Sequence, residues 1–317
     1  MRRILVTGAN GQLGCALRLA AAGSGESWLF TDLTDASDET LARLLVQGGP
    51  KVDLATMRLD VTDADAVGKM LRDNEIDTVI NCAAYTAVDA AESHPAEAHL
   101  LNAEAPRILA SAVRELDGLL VHISTDYVFG DCGALASGVR PSGTAPAPWR
   151  ETDLPNPLGV YGKTKLEGEI AVADSGCKYM IIRTAWLYSE FGKSFVKTIL
   201  KLTSERPEIR VVNDQFGTPT YAGDLAETLV KLTEDFRRSG IWHYTNLGQC
   251  SWYQFACAIA EFAGHTNCRI NPCSTAEYPT SAKRPQWSVL DKSRIAEDFG
   301  ILPPAWEDSL RNCIANI

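Results

Sequence analysis

Arg3-Ile4-Leu5-Val6-Thr7-Gly8-Ala9-Asn10-Gly11-Gln12-Leu13-Gly14, running on into Cys15-Ala16-Leu17-Arg18-Leu19-Ala20, decides how the chain is read. A short β-branched run predicts a strand, glycines at three-residue spacing predict a turn, and the apolar segment beyond them predicts a helix. Strand, glycine turn and helix in that order are the context a dinucleotide fingerprint requires. Gly8 permits the tight turn, Gly11 lets the backbone approach a pyrophosphate, and Gly14 lets the helix sit close to the sheet. Gln12 and Leu13 fall at the helix N-terminus, where free N–H groups and a partial positive charge favour a phosphate. A glycine turn that binds nothing is the plainer alternative.

Working outward, Trp28-Leu29-Phe30-Thr31 predicts a second strand ending at Asp32, eighteen residues past Gly14. A carboxylate there can accept hydrogen bonds from an adenosine ribose and repels a 2′-phosphate. No arginine adjoins it, and the local run of Asp35, Asp38 and Glu39 is acidic, which leans towards NADH. Capping a turn is the other use for Asp32. Met57-Arg58-Leu59 predicts a third strand, whose end at Asp60 and Val61 suits contact with adenine. Thr78-Val79-Ile80-Asn81 predicts a fourth, opening into Cys82-Ala83-Ala84-Tyr85-Thr86-Ala87-Val88-Asp89. Small residues there suit either a close-lying cofactor or tight helix packing. After a long helix from about Pro95 to Val113, Leu119–Ile123 predicts a fifth strand that delivers Ser124-Thr125-Asp126-Tyr127-Val128-Phe129 at its carboxyl end, with His122 placed inside the sheet. Ligands bind at that edge of open parallel sheets. Tyr179–Thr184 predicts a sixth strand, leading to Trp186.

The pattern is an α/β fold: a Rossmann-like doubly wound parallel sheet with a smaller C-terminal α/β substrate domain. Residues 1–185, with a returning segment at about 213–238, form the nucleotide-binding domain; 186–212 and 239–317 form the second. The Gly- and Pro-rich stretch 131–157 reads as a loop within the first domain, either a lid or a plain insertion.

Within that frame Tyr161 and Lys165 stand four residues apart at the start of a helix, so both can point into one site. A fixed cation beside a phenol of pKa near ~10 favours the phenolate, which would suit Tyr161 to proton transfer. Alone the spacing is weak, and an exposed helix with a half-buried tyrosine would show it too.

Bulk properties narrow the partners. With 30 basic and 40 acidic residues the formal charge is -10, which argues against nucleic acid or an anionic membrane as partner. No run approaches the ~18 apolar residues of a membrane span, and no charged-then-apolar leader precedes the first strand. The nine cysteines include no Cys-x-x-Cys pair and no zinc-like grouping, so they read as reduced thiols in a cytoplasmic protein with no metal.

Gly8–Gly14, Asn81–Asp89, Ser124–Phe129, Tyr161/Lys165, Arg183–Ser189, Asp214–Thr220 and Ser281–Leu290 fall in an order that resembles the dTDP-4-dehydrorhamnose reductases, extended short-chain dehydrogenases acting on a nucleotide sugar. The resemblance spans essentially the whole chain. Ser-Thr-Asp-Tyr-Val-Phe at 124–129 and Arg-Thr-Ala-Trp-Leu-Tyr at 183–188 are its specific motifs; sugar-nucleotide epimerases tend to carry Ser-Ser-x-x-Val-Tyr-Gly at the first. The resemblance implies NADPH or NADH as cofactor and a dTDP-sugar as substrate. It makes Tyr161 the proton donor, has Thr125 hydrogen-bond the same oxygen, and has Lys165 hold the nicotinamide ribose and lower the Tyr161 pKa. Val88, Asp126, Tyr127 and Trp186 would line the sugar pocket, and Arg284 is either a diphosphate partner or an exposed arginine.

The chain departs from the family in places. Some members carry a glutamate after the glycine loop that helps bind Mg²⁺ at a dimer interface; Ala16 stands there, so neither that metal nor that dimer is carried across, and monomer and homodimer stay open. Ser194 replaces a frequent asparagine. Another nucleotide-sugar reductase or an epimerase would share the triad. A non-catalytic subunit such as the regulatory subunit of methionine adenosyltransferase, which resembles this family, is the rival of a different class.

Overall fold

The computed structural model describes residues 1–131 and 146–317; most of the 131–157 loop therefore lies outside the described residues. Seven strands form one sheet, and every pairing in it is parallel. Its strands are β1 (Arg3–Thr7), β2 (Ser27–Asp32), β3 (Met57–Arg58), β4 (Thr78–Asn81), β5 (Leu119–Thr125) and β6 (Lys178–Thr184), with Gly240–His243 at the far edge. The order Gly240–His243, β6, β5, β4, β1, β2, β3 makes the chain reverse direction between β1 and β4. That reversal opens a crevice beyond the carboxyl ends of those two strands, the usual ligand position in such sheets.

Parallel strands covered on both faces must be apolar on both, and these are. Ile4 and Val6 of β1 share one core with Leu13 and Leu17 of helix Gln12–Ala21 and Leu225 and Leu229 of helix Ala222–Glu234. Leu5, on the opposite face, packs with Val67 of Ala64–Asp73, Leu109 of Ala105–Glu115 and Val172 of Val160–Asp174.

A second unit has its own core. Strands Glu208–Val212 and Arg269–Cys273 pair in parallel, and helices Phe195–Glu205, Trp252–Phe262 and Trp306–Ala315 pack around Val196, Ile209, Phe255 and Leu310. The segment returning to the large sheet runs further than sequence indicates. Gly240–His243 pairs with β6, although 239–317 was expected in the second unit. Trp242 is fully buried in the same core as Met180 and Ile182, and Ile295 of helix Ser293–Phe299 joins it. Burying one large indole fixes this four-residue strand where it is.

The expected long helix from Pro95 is also broken. Pro95–His99 and Ala105–Glu115 flank a π-helical turn at Leu100–Glu104. Such turns commonly aim a side chain at a function. Here Asn102 is fully buried, accepts Tyr85 N–H at 2.8 Å, and donates to Tyr85 O at 3.1 Å and Thr164 Oγ1 at 3.2 Å. The loop after β4 is thereby pinned to the helix that carries Tyr161.

Candidate active site

The glycine turn is shaped as sequence predicts. Gly8 has φ +63°, and a Cβ there would come within 2.8–2.9 Å of the Cys82 and Ala83 backbone. At Gly14 a Cβ would meet Ala9 Cα and Gly8 O at 2.4 Å. No side chain can be accommodated at either position, so backbone alone lines this floor.

Above it lies a cavity of about 890 Å³. Gly8, Gly11, Gln12, Leu13 and Gly14 line it, as do Asp32, Asp60, Val61, Ala83, Ala84 and Thr86. Val88, Thr125, Asp126, Tyr127, Tyr161, Lys165 and Trp186 line it too. Residues from across the whole sequence edge thus share one cleft at the carboxyl end of the sheet.

Asp32 serves the turn, the plainer of its two expected uses. Its carboxylate accepts the N–H groups of Asn10 at 3.0 Å and Leu33 at 2.8 Å, bracing the glycine turn, while the residue still lines the cavity.

The Tyr161 phenol is pushed up to about 12, first by burial, with the Asp126 charge raising it further and a hydrogen bond with Thr125 lowering it. Its ring meets Tyr127 edge to face, centroids 5.6 Å apart. Thr125 donates to Asp126 Oδ1 at 3.0 Å and accepts Tyr127 N–H at 3.2 Å. Burial lifts the Asp126 carboxyl to about 6, and its Oδ2 is buried with no hydrogen-bond partner among the described residues.

Lys165 differs from expectation. Its ammonium was to favour the phenolate of Tyr161, yet Nζ donates to Ile123 O at 2.7 Å and stands 3.4 Å from His122 Nε2, and burial lowers it to about 8. Helical spacing places the two side chains on one face; it does not say which neighbour takes the cation.

Arg284 is neither exposed nor among the cavity-lining residues. Nη2 donates to Asp89 Oδ2 at 2.6 Å, so it ties the 281–290 segment to the loop after β4. A diphosphate role would first have to break that pair. Ala16 is 4% exposed and packs in the sheet core. No group of three or more His, Cys, Asp or Glu able to hold a metal occurs among the described residues.

Trp252 is the residue that sequence reading misses. It lines the cavity and stacks on Trp186, with centroids 3.5 Å apart and planes 10° from parallel. Trp186 adopts φ +48°, a conformation uncommon for a bulky residue, and its indole fills the space over Gly217. Nothing in sequence links positions 66 residues apart. Lys193 and Ser194 also reach the cavity from the second unit.

A glycine-turn cleft at the switch point of a parallel sheet, with a half-buried tyrosine and a buried lysine on its wall, defines a dinucleotide-dependent oxidoreductase of the short-chain dehydrogenase class. The RmlD substrate binding domain model matches residues 1–317. A dTDP-4-dehydrorhamnose reductase of Burkholderia thailandensis is 38% identical, over 99% of both chains. The crystal structure of a dTDP-4-dehydrorhamnose reductase from Clostridium acetobutylicum superposes with a TM-score of 0.83 at 38% identity, covering 99% of this chain and 98% of that one. The Bacillus anthracis enzyme in complex with NADP does so at 0.81 and 33%, covering 100% of each. The chain belongs to the dTDP-4-dehydrorhamnose reductase (RmlD) family.

Proposed function

We propose that the chain reduces the C4 ketone of dTDP-4-dehydro-L-rhamnose to dTDP-L-rhamnose, the last step of dTDP-rhamnose synthesis. The observation that carries this reading is that Tyr161 and Thr125 line the same cleft as a glycine turn that has no room for side chains. NADPH or NADH fits that turn, and when bound it supplies the hydride. Gly11, Gln12 and Leu13 line the cavity at the helix N-terminus and would hold its pyrophosphate, and Asp32, Asp60 and Val61 would take the adenosine half. Ala83, Ala84 and Thr86 would border the cofactor, and Lys165 would hold its nicotinamide ribose.

Tyr161 gives its proton to the alkoxide formed at C4, and Thr125 hydrogen-bonds that oxygen. A neutral phenol is the right starting state for an acid, and burial keeps it neutral. Val88, Asp126, Tyr127 and the stacked Trp186 shape the sugar pocket, and the second unit, reaching in through Lys193 and Ser194, forms the substrate domain. The chain works as a monomer or homodimer in the cytoplasm; among the described residues no helix is long and apolar enough to cross a membrane.

The test mixes purified protein with dTDP-4-dehydro-L-rhamnose and either NADH or NADPH, following loss of nicotinamide absorbance. Steady loss with at least one cofactor is expected. Cofactor binding without turnover on either would overturn the reductase reading and leave a non-catalytic binding role.

A further inference from the structure

The end of β2 has a cation beside it that sequence order hides. Asp32 and Arg58 are Cα partners in the parallel pairing of β2 with β3. Register partners of neighbouring strands point to one face of the pleat, with the strands about 4.8 Å apart. Arg58 is exposed, and the residues around it, Asp32, Leu33, Leu59, Asp60 and Val61, all line the cleft. A second arginine sets its position. Arg18, 1% exposed, donates to Asp53 O at 2.8 Å, Ala55 O at 2.9 Å and Thr56 Oγ1 at 2.7 Å, which fixes the segment leading into β3. The charges of Arg18 and Asp32 also act on one another.

The carboxylates nearby are already engaged. Asp32 accepts three backbone N–H groups, from Asn10, Leu33 and, at 3.4 Å, Thr34. Asp60 accepts the Thr62 hydroxyl at 2.6 Å and its N–H at 2.9 Å; these bonds hold its carboxyl below the usual range, and the Arg58 charge adds to them. Asp38 and Glu39 lie in the first turn of helix Asp38–Gly48, where negative charge favours the helix. The acidic run that leans towards NADH in sequence therefore serves a turn and a helix end. An arginine beside Asp32 is what a 2′-phosphate requires, and its planar fork matches phosphate oxygens two at a time.

We propose that Arg58 is a specificity-determining residue for the cofactor: its guanidinium takes the adenosine 2′-phosphate, so that the chain binds NADPH at least as tightly as NADH. The inference rests on the reading of the cleft as a nicotinamide-dinucleotide site.

The experiment titrates the full chain, without sugar nucleotide, with NADPH and with NADH by fluorescence, in wild type, Arg58→Gln and Arg72→Gln. Arg72 is an exposed arginine that faces Glu115 and serves as the control for lost surface charge. Wild type should bind NADPH no more weakly than NADH. In Arg58→Gln the NADPH dissociation constant should rise about tenfold or more relative to that of NADH, the loss of a hydrogen bond to a charged group. In Arg72→Gln the ratio of the two constants should stay as in wild type. A wild type that binds NADH the more tightly, an unmoved ratio in Arg58→Gln, or an equal shift in Arg72→Gln overturns the inference while the dinucleotide reading stands. Binding of neither cofactor to wild type overturns both.

Discussion

Arg183 and Glu169 meet as a two-pronged pair in the core, Nε to Oε1 at 2.9 Å and Nη2 to Oε2 at 2.6 Å, with side chains 2% and 3% exposed. Ser124, one residue before Thr125, donates to the same carboxylate, and the guanidinium lies 5.0 Å from the Phe129 ring centre. The pair therefore anchors the end of β5 against the helix bearing Tyr161. Removing one partner of a buried pair strands the other charge, at a cost of about 3–5 kcal/mol. Glu169→Ala should lose about that much in urea unfolding. Asp73→Ala, which breaks an exposed pair with Lys69, should lose under about 1 kcal/mol. Equal losses in the two variants would mean that the buried pair carries no special weight.

Tyr161→Phe removes the proton and leaves the ring that packs against Tyr127. A general acid commonly contributes about 10²–10⁴-fold, so kcat should fall within that range while the cofactor dissociation constant changes less than about twofold. Steady-state kinetics with fluorescence titration of NADH or NADPH reads both. A loss of kcat below tenfold would show that another group delivers the proton.

Much of this was legible before any coordinates. The Gly8–Gly14 turn follows from local rules, because the conformation of a tight turn is set by the residues inside it. The core strands declare themselves because β-branched and apolar residues on both faces suit only a covered parallel sheet. What stayed hidden depends on pairs far apart in the chain. Trp186 and Trp252 stack across 66 positions, and Arg284 reaches Asp89 across 195. Gly240–His243 is too short to announce itself as a strand and is held by one buried indole. At the site, spacing put Tyr161 and Lys165 on one face, yet the lysine's actual partners, Ile123 O and His122, come from a strand 42 and 43 residues upstream.

Asn102 offers a test of how the loop after β4 is held. Its amide makes three hydrogen bonds, two to Tyr85 backbone and one to Thr164, with no water exposure. Asn102→Ala leaves those buried groups unpaired, at about 1–3 kcal/mol. Because Ala83, Ala84 and Thr86 line the cavity on this loop, the KM for the nicotinamide cofactor should rise more than the KM for the sugar nucleotide. Unfolding and two-substrate kinetics on the same preparation check both parts. An unchanged cofactor KM would detach this pin from the site.

Asp126 shows the site working against stability. Burial raises its carboxyl to about 6 from an unfolded value near ~3.9. Between those values the native state binds more protons than the unfolded chain, so the contribution of Asp126 to stability falls as pH rises from about 4 to about 6 and stays low above that. At pH 8 the ionised, partly unpartnered carboxylate costs the fold about 2–3 kcal/mol relative to a neutral group of the same shape. Asp126→Asn keeps an oxygen for the Thr125 hydroxyl and removes the charge. It should raise unfolding free energy by about that amount at pH 8, with the gain shrinking as pH falls towards 4. Sugar binding should weaken at the same time, as expected where a charge is retained for function at the expense of stability. Denaturant unfolding at several pH values, paired with the KM for the sugar nucleotide, separates the two effects. A variant no more stable at pH 8 than at pH 4, relative to wild type, would show that the protein relieves this carboxylate in another way.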